Sequence, residues 1–203
     1  MSRLNEANVQ LASEIIGRYP QPRSATIPLL HLAQQQNGYV TNESIAHIAE
    51  LVGATAAEVL GTCTFYEMFK MKPVGKFLIN VCGTMSCALM GAADVIHRAE
   101  QVLGIRVGDT TDDGLFTLEQ AECQAACTEA PCLQVNYRYR YRVTPGQVEA
   151  LIDDLRSGRL DGEIPPHGTV AKVRQRIPAD REVGAVPPDD VTGPPAWMQG
   201  AAQ

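Results

Sequence analysis

Five of the six cysteines in this 203-residue chain fall in two short segments, "VCGTMSCALMGA" and "AECQAACTEAPC". Cys82 and Cys87 are separated by four residues, Cys123 and Cys127 by three, and Cys132 follows. If the two segments, about forty residues apart, serve one bound group, the fold must bring both loops to the same end of a sheet. That requirement excludes most arrangements of the intervening chain.

The setting decides what such cysteines are for. The N-terminal "MSRLNEANVQLASEII" is charged and amphipathic and has no apolar signal core. No apolar run approaches the length of a membrane span, so a cytoplasmic protein without direct membrane insertion is expected. In a reducing compartment, clustered cysteines bind metal or do chemistry more often than they form disulfides. Composition agrees: 45% hydrophobic and 20% charged residues suffice for a core without covalent staples. The net charge of −6 argues against general nucleic-acid binding, which depends on Lys and Arg neutralising phosphates.

Three chemistries compete for the thiols. A [2Fe–2S] cluster takes four thiolates, two on each iron. Small residues around both pairs (Gly83, Ser86, Ala88, Gly91, Ala125, Ala126) would let backbone N–H groups approach the sulfurs and tune the potential. Structural zinc also takes four thiolates, and spacings of four and three do not exclude it. Thiol redox chemistry favours two intervening residues, a spacing absent from the chain. Cys63, in the apolar "VLGTCTFY", reads as a buried structural residue. Cys132 directly precedes an apolar strand and also reads as buried, although it lies close enough in sequence to substitute for a ligand.

The periodicity implies an α+β chain in three parts: a helical bundle over 1–74, a mixed-sheet domain over 75–160 and a Pro-rich extended tail over 161–203. In the first part "LNEANVQLASEII", "ATIPLLHLAQQQNG", "NESIAHIAELVG" and "TAAEVLGTCTFYEMF" read as helices. Gly38 and Gly53 serve as stops, and Thr55 and Glu58 stand at capping-box spacing. In the second, "KFLINV" is a strand ending at Cys82, and "CALMGAADVIHRAEQVLG" is a helix stopped by Gly104. "IRVGDTTDDGLFTL" carries strand-like segments about a turn at Asp112 and Asp113. Thr117 and Gln120 offer a capping box for a short helix over "TLEQAECQAAC". "CLQVN" and "YRYRV" form a hairpin, with the "YRYRYR" alternation read as an exposed strand rather than a nucleic-acid contact. "TPGQVEALIDDLRSG" is the clearest helix, with Thr144 as cap, Pro145 first and Gln147 completing the box. The four histidines, His31, His47, His97 and His167, are scattered and read as surface or helix-face residues. The tail holds seven of the thirteen prolines and the single Trp197, a candidate docking anchor.

The runs "TFYEMF", "VCGTMSC" and "GDTTDDGLFTLEQAECQAACTEAPCLQVN" resemble the thioredoxin-like [2Fe–2S] ferredoxin subunit of NADH-quinone oxidoreductase, respiratory complex I. "IPLLHLAQQQNGYV" and "IAHIAELVG" are similar to that family's helical N-terminal part, so the resemblance covers roughly residues 20–157. It implies a thioredoxin-like domain behind the bundle and one [2Fe–2S] cluster held by Cys82, Cys87, Cys123 and Cys127. It also implies a role as an electron-transfer subunit, with no complete active site in this chain. FMN and NADH would be bound by a partner subunit, beside a neighbouring iron–sulfur subunit of the peripheral arm, and the chain would sit at the cytoplasmic face of the membrane through that complex. In keeping with this, no Gly-rich dinucleotide fingerprint is present. Related subunits also serve NAD-linked hydrogenases and formate dehydrogenases. Two departures stand out: Gln124 and Ala125 replace the Leu-Gly that the family often carries, and Cys132 takes a place usually held by an apolar residue.

Overall fold

The computed structural model describes residues 3–168. Trp197 and the greater part of the Pro-rich run lie outside them. Four helices come first: α1 (Glu6–Ile16), α2 (Thr26–Asn37), α3 (Asn42–Val52) and α4 (Ala56–Phe65). Their ends follow local chemistry. The Asn5 side chain accepts from the Asn8 N–H, Thr41 does the same for Ser44, and Thr55 and Glu58 close the expected capping box. Leu29, Leu30, Ile48, Val59 and Cys63 are buried between the helices. Each fully buried aliphatic side chain of this kind contributes about 1.5–3 kcal/mol.

The connection after α4 is tied down from both sides. The buried Gln34 side chain on α2 donates to the Met68 carbonyl and accepts from the Lys70 N–H, each at 2.8 Å. Lys70 Nζ then reaches Glu119 at 2.6 Å, and the Tyr137 hydroxyl donates to the Met68 carbonyl.

The second part is a four-stranded mixed sheet: β1 (Phe77–Cys82), β2 (Phe116–Ala121), β3 (Leu133–Val135) and β4 (Arg138–Arg140), in the order β2-β1-β3-β4. Helices α5 (Met85–Leu89) and α6 (Ala92–Leu103) join β1 to its parallel neighbour β2, and α7 (Pro145–Arg156) closes the domain against α6. Alternation along the strands separates two faces. Phe77, Ile79, Val81, Phe116, Leu118, Leu133 and Val135 enter a core shared with α6 and α7. On the other face Glu119, Asn80, Gln134 and Tyr139 stand in register as a polar row.

Several expectations are corrected. Residues 116–121 form β2 rather than the start of a helix, because Phe116 and Leu118 alternate into the core and pair with β1 along its whole length. Thr117 does not cap: its hydroxyl accepts from the Gly75 N–H at 2.7 Å and bonds Thr110. The only helical turn in the rest of that stretch is a 3-10 turn, Cys127–Glu129. The segment before β2 supplies one bridge, Thr110 to Thr117, instead of a strand. The helix expected from Cys87 to Gly104 breaks at Gly91, whose φ of 95° belongs to the left-handed region. Residues 161–168 pack rather than trail: Ile164 is buried in the sheet core, and the His167 N–H donates to the Lys76 carbonyl. His167 is buried and lies outside any helix, whereas His47 keeps to the helix face expected of it, on the buried side of α3, where its Nδ1 accepts from the Leu4 N–H. Among the described residues no single helix is long and apolar enough to cross a membrane.

Candidate metal centre

Cys82 is the last residue of β1, so its position is fixed by the ladder on both sides. Its N–H donates to the Cys132 carbonyl at 3.1 Å, and the next residue, Gly83, donates to the Ala121 carbonyl. A Cβ at Gly83 would lie 2.1 Å from the Gln120 amide nitrogen, so a side chain there would require the Gln120 side chain to move aside. The chain then turns into α5, which buries Cys87 on its inner side.

The second pair comes from the loop between β2 and β3. Cys123 and Cys127 are exposed and their sulfurs are 3.6 Å apart. The loop is held by contacts that the spacing of cysteines does not reveal. The Tyr139 hydroxyl donates to the Gln124 carbonyl at 2.6 Å, and the Gln124 side chain donates to the Asn80 carbonyl at 2.9 Å. Arg142 pairs with Glu129. Ala125 takes a φ of 59°, and its N–H points at the Cys123 sulfur at 3.4 Å. The conformation that favours glycine here is thus met by alanine, at a cost of about 1–2 kcal/mol. Tyr139 was legible only as part of an alternating strand; its placement on the polar face beside Gln134 is the signal that aims it at the loop.

The two pairs are close enough to interact: after the dominant upward effect of the Cys123 contact, the Cys127 thiol responds to Ser86, between Cys82 and Cys87 in sequence, and to Cys82 itself. Cys132, expected to be buried, is 1% exposed, yet its sulfur lies among the others, 3.7 Å from Cys87. The sulfurs of Cys82, Cys87 and Cys132 fall within 4.8 Å of one another. Cys63 is buried in the helical core, away from this group.

The thiols differ in acidity. For Cys82, burial acts upward, but hydrogen bonds from the Thr84 and Gln124 backbone and the Cys87 thiol outweigh it, and the group ends below the ordinary cysteine value. Burial raises Cys87, the bond with Cys123 raises Cys127, and burial followed by the Cys87 contact pushes Cys132 up to about 12. The thiolate is the metal-binding form, so Cys82 is the best prepared of the buried three.

The donor set fits a thiolate-held metal centre. Two thiolates on one tetrahedral metal at about 2.3 Å lie roughly 3.8 Å apart, close to the 3.6 Å between Cys123 and Cys127. The second iron of a [2Fe–2S] group would be served from the buried side, where Cys82 and Cys87 stand. Asn80 Oδ1, two residues before Cys82 on the same strand, is buried with no partner among the described residues.

Fold and site together define a four-stranded mixed-sheet domain that carries a group of cysteines suited to holding a metal. The sequence profile of the thioredoxin-like [2Fe-2S] ferredoxin family matches residues 12–156, and the chain belongs to that family. Its relatives include the E subunit of the NADH-quinone oxidoreductase of Mycobacterium bovis, 42% identical over 146 residues, covering 72% of this chain and 58% of that protein. NADH-quinone oxidoreductase subunit 2 of Thermus thermophilus is 41% identical, covering 74% and 85% respectively. The E subunit of the Rickettsia bellii enzyme is 40% identical, covering 75% and 93%. The matched region thus spans just over half the length of the mycobacterial relatives. A crystal structure of an NAD+-reducing [NiFe]-hydrogenase shares the fold, with a TM-score of 0.60 at 19% identity, over 70% of this chain and 24% of that one.

Proposed function

We propose that this chain is the electron-transfer subunit of an NADH:quinone oxidoreductase. Cys82, Cys87, Cys123 and Cys127 hold one [2Fe–2S] cluster, and electrons are exchanged singly with the FMN of a partner NADH-binding subunit. The observation that supports the reading is the presence of two cysteine pairs in one family-matched fold, Cys82 and Cys87 buried at the end of β1 and on α5, Cys123 and Cys127 exposed on the loop between β2 and β3 with their sulfurs 3.6 Å apart. When bound, the cluster supplies a one-electron site beside a two-electron flavin.

The chain's own residues do the rest. The strand end and α5 fix the inner thiols, while Tyr139 and Gln124 hold the outer loop. The Ala125 N–H points at the Cys123 sulfur at 3.4 Å, the kind of backbone donor that tunes a sulfur-held metal. Helix α5 buries Cys87 but leaves Met85, Leu89 and neighbouring Met90 at 77%, 84% and 63% exposed. Large apolar side chains presented next to a redox site suit a protein partner. The same chemistry would serve an NAD-linked hydrogenase, but relatives above 40% identity favour the quinone-linked complex. The complex would place the chain at the cytoplasmic face of the membrane, to one side of the main electron path.

The test uses the anaerobically purified chain. Iron and acid-labile sulfide should each come to about two per chain, with an EPR signal after dithionite. NADH alone should leave the protein oxidised, and NADH with the flavin-bearing partner should reduce it. Zinc in place of iron would refute the redox reading and leave a structural module.

A further inference from the structure

By sequence Cys132 stands outside the four-cysteine pattern, yet its sulfur lies inside the site. Cys132 Sγ lies 3.7 Å from Cys87 Sγ and within 4.8 Å of Cys82 Sγ, so it can reach the place Cys87 occupies beside Cys82. Cys132 is firmly placed. It immediately precedes β3, and its carbonyl accepts the Cys82 N–H, so the backbone of the third thiol is tied to the strand end that carries the first. The Cys132 thiol donates to Gln124 Oε1 at 3.7 Å, and such sulfur hydrogen bonds are weak and readily given up.

An apolar residue at this position would fill the same space without offering a donor. A thiol within 4.8 Å of both inner cysteines does more than fill space. We propose that Cys132 is a reserve ligand: with Cys87 absent, Cys82 and Cys132 hold the inner iron. The inference rests on the cluster reading above. Were Cys87 to detach from a bound cluster, Cys132 would take its place, and the Cys132 proton would pass to the released Cys87 sulfur. Charge balances and no electron moves.

The experiment compares the full chain in four forms: wild type, Cys87→Ala, Cys132→Ala and the double variant. Iron and sulfide per folded chain, visible absorption and the EPR spectrum of the reduced protein are the readouts. Wild type and Cys132→Ala should each carry about two irons. Cys87→Ala should keep most of its iron, with an altered EPR line shape, and the double variant should fall to background. A Cys87→Ala protein as empty as the double variant overturns the proposal. Loss of iron in Cys132→Ala overturns it too, because Cys132 would then be a primary ligand. If circular dichroism shows that Cys87→Ala does not fold, Cys82→Ala with and without Cys132→Ala poses the same question, since Cys132 neighbours both. A wild type without iron refutes the cluster reading itself, a result distinguishable from either of the others.

Discussion

Asn136 is the most direct place to test how the sheet is held at the end away from the cysteines. It follows β3, is 7% exposed and takes a φ of 46°. Its Oδ1 accepts from the Leu78 N–H at 2.8 Å, and its Nδ2 donates to the carbonyls of Lys76 and Pro165 at 2.9 and 2.8 Å. One side chain therefore completes the ladder of β1 and holds residues 161–168 against the sheet. Asn136→Ala strands the buried Leu78 N–H, which costs about 2 kcal/mol, and removes the Pro165 contact for about 1 kcal/mol more. Lys76 loses less, because its carbonyl also accepts from the His167 N–H. Alanine in the left-handed region adds about 1 kcal/mol. The expected loss is about 4 kcal/mol, or roughly 10 °C in melting temperature for a domain of this size. Asn136→Gly should recover about 1 kcal/mol of that, since only the backbone strain is relieved. Asn136→Asp keeps the acceptor but sets a carboxylate against two carbonyls, and it should be no better than alanine. Thermal unfolding at one scan rate, followed by circular dichroism with iron counted on the folded protein, is the assay. A shift under about 3 °C for Asn136→Ala would refute the hydrogen-bond argument. Wild-type stability in Asn136→Gly would show that backbone conformation alone matters. Iron content should be unchanged throughout, because the site lies at the other end of β3.

Ala125→Gly should stabilise the protein by about 0.5–1 kcal/mol, the relief of a left-handed alanine less the added freedom of glycine in the unfolded chain; a lower melting temperature would count against strain at this loop. Cys63→Ala should cost about 1 kcal/mol as a small cavity and leave iron and sulfide untouched, as metal analysis would check. The burial of His167, with the Lys70 charge acting in the same direction, lowers its pKa from 6.5 to about 4, against an upward pull from Glu119. The folded state therefore resists a proton that the unfolded chain accepts: this contribution is complete above pH 6.5 and is lost as pH falls through about 4. Measured stability should decline across that window, and His167→Gln should flatten the decline.

How much of this was legible in the sequence differs by element. Helix α7 and the entry to α4 were readable because capping box and apolar spacing point the same way. β1 was readable as an apolar run that ends on a cysteine. β2 was not, because Thr117 and Gln120 have helix-cap spacing while Phe116 and Leu118 have strand spacing, and only the ladder with β1 decides between them. The fold of residues 161–168 was hidden for a similar reason. Paired prolines suggest an extended tail, and nothing local says that Ile164 finds the sheet core. Within the site, spacing located both cysteine pairs. It did not locate Cys132, because a cysteine buried as an apolar filler and one buried as a third thiol look alike until the strands are placed.

The site is asymmetric in a way that bears on its use. The inner thiols are fixed by a fully buried strand and a helix turned toward it. The outer thiols sit on a loop whose position depends on Tyr139, Gln124 and the Arg142–Glu129 pair. Tyr139 and Arg142 belong to the alternating "YRYRYR" run, so the feature that resembles a charged docking strand serves in part to position the loop. A redox group held this way is insulated on one side and accessible on the other. On the proposed reading, electrons would cross at the exposed edge formed by Cys123 and Cys127, and the exposed apolar side chains of α5 and Met90 would be covered by a partner. Cys132, the proposed reserve ligand, lies with the buried thiols Cys82 and Cys87, away from that exposed edge.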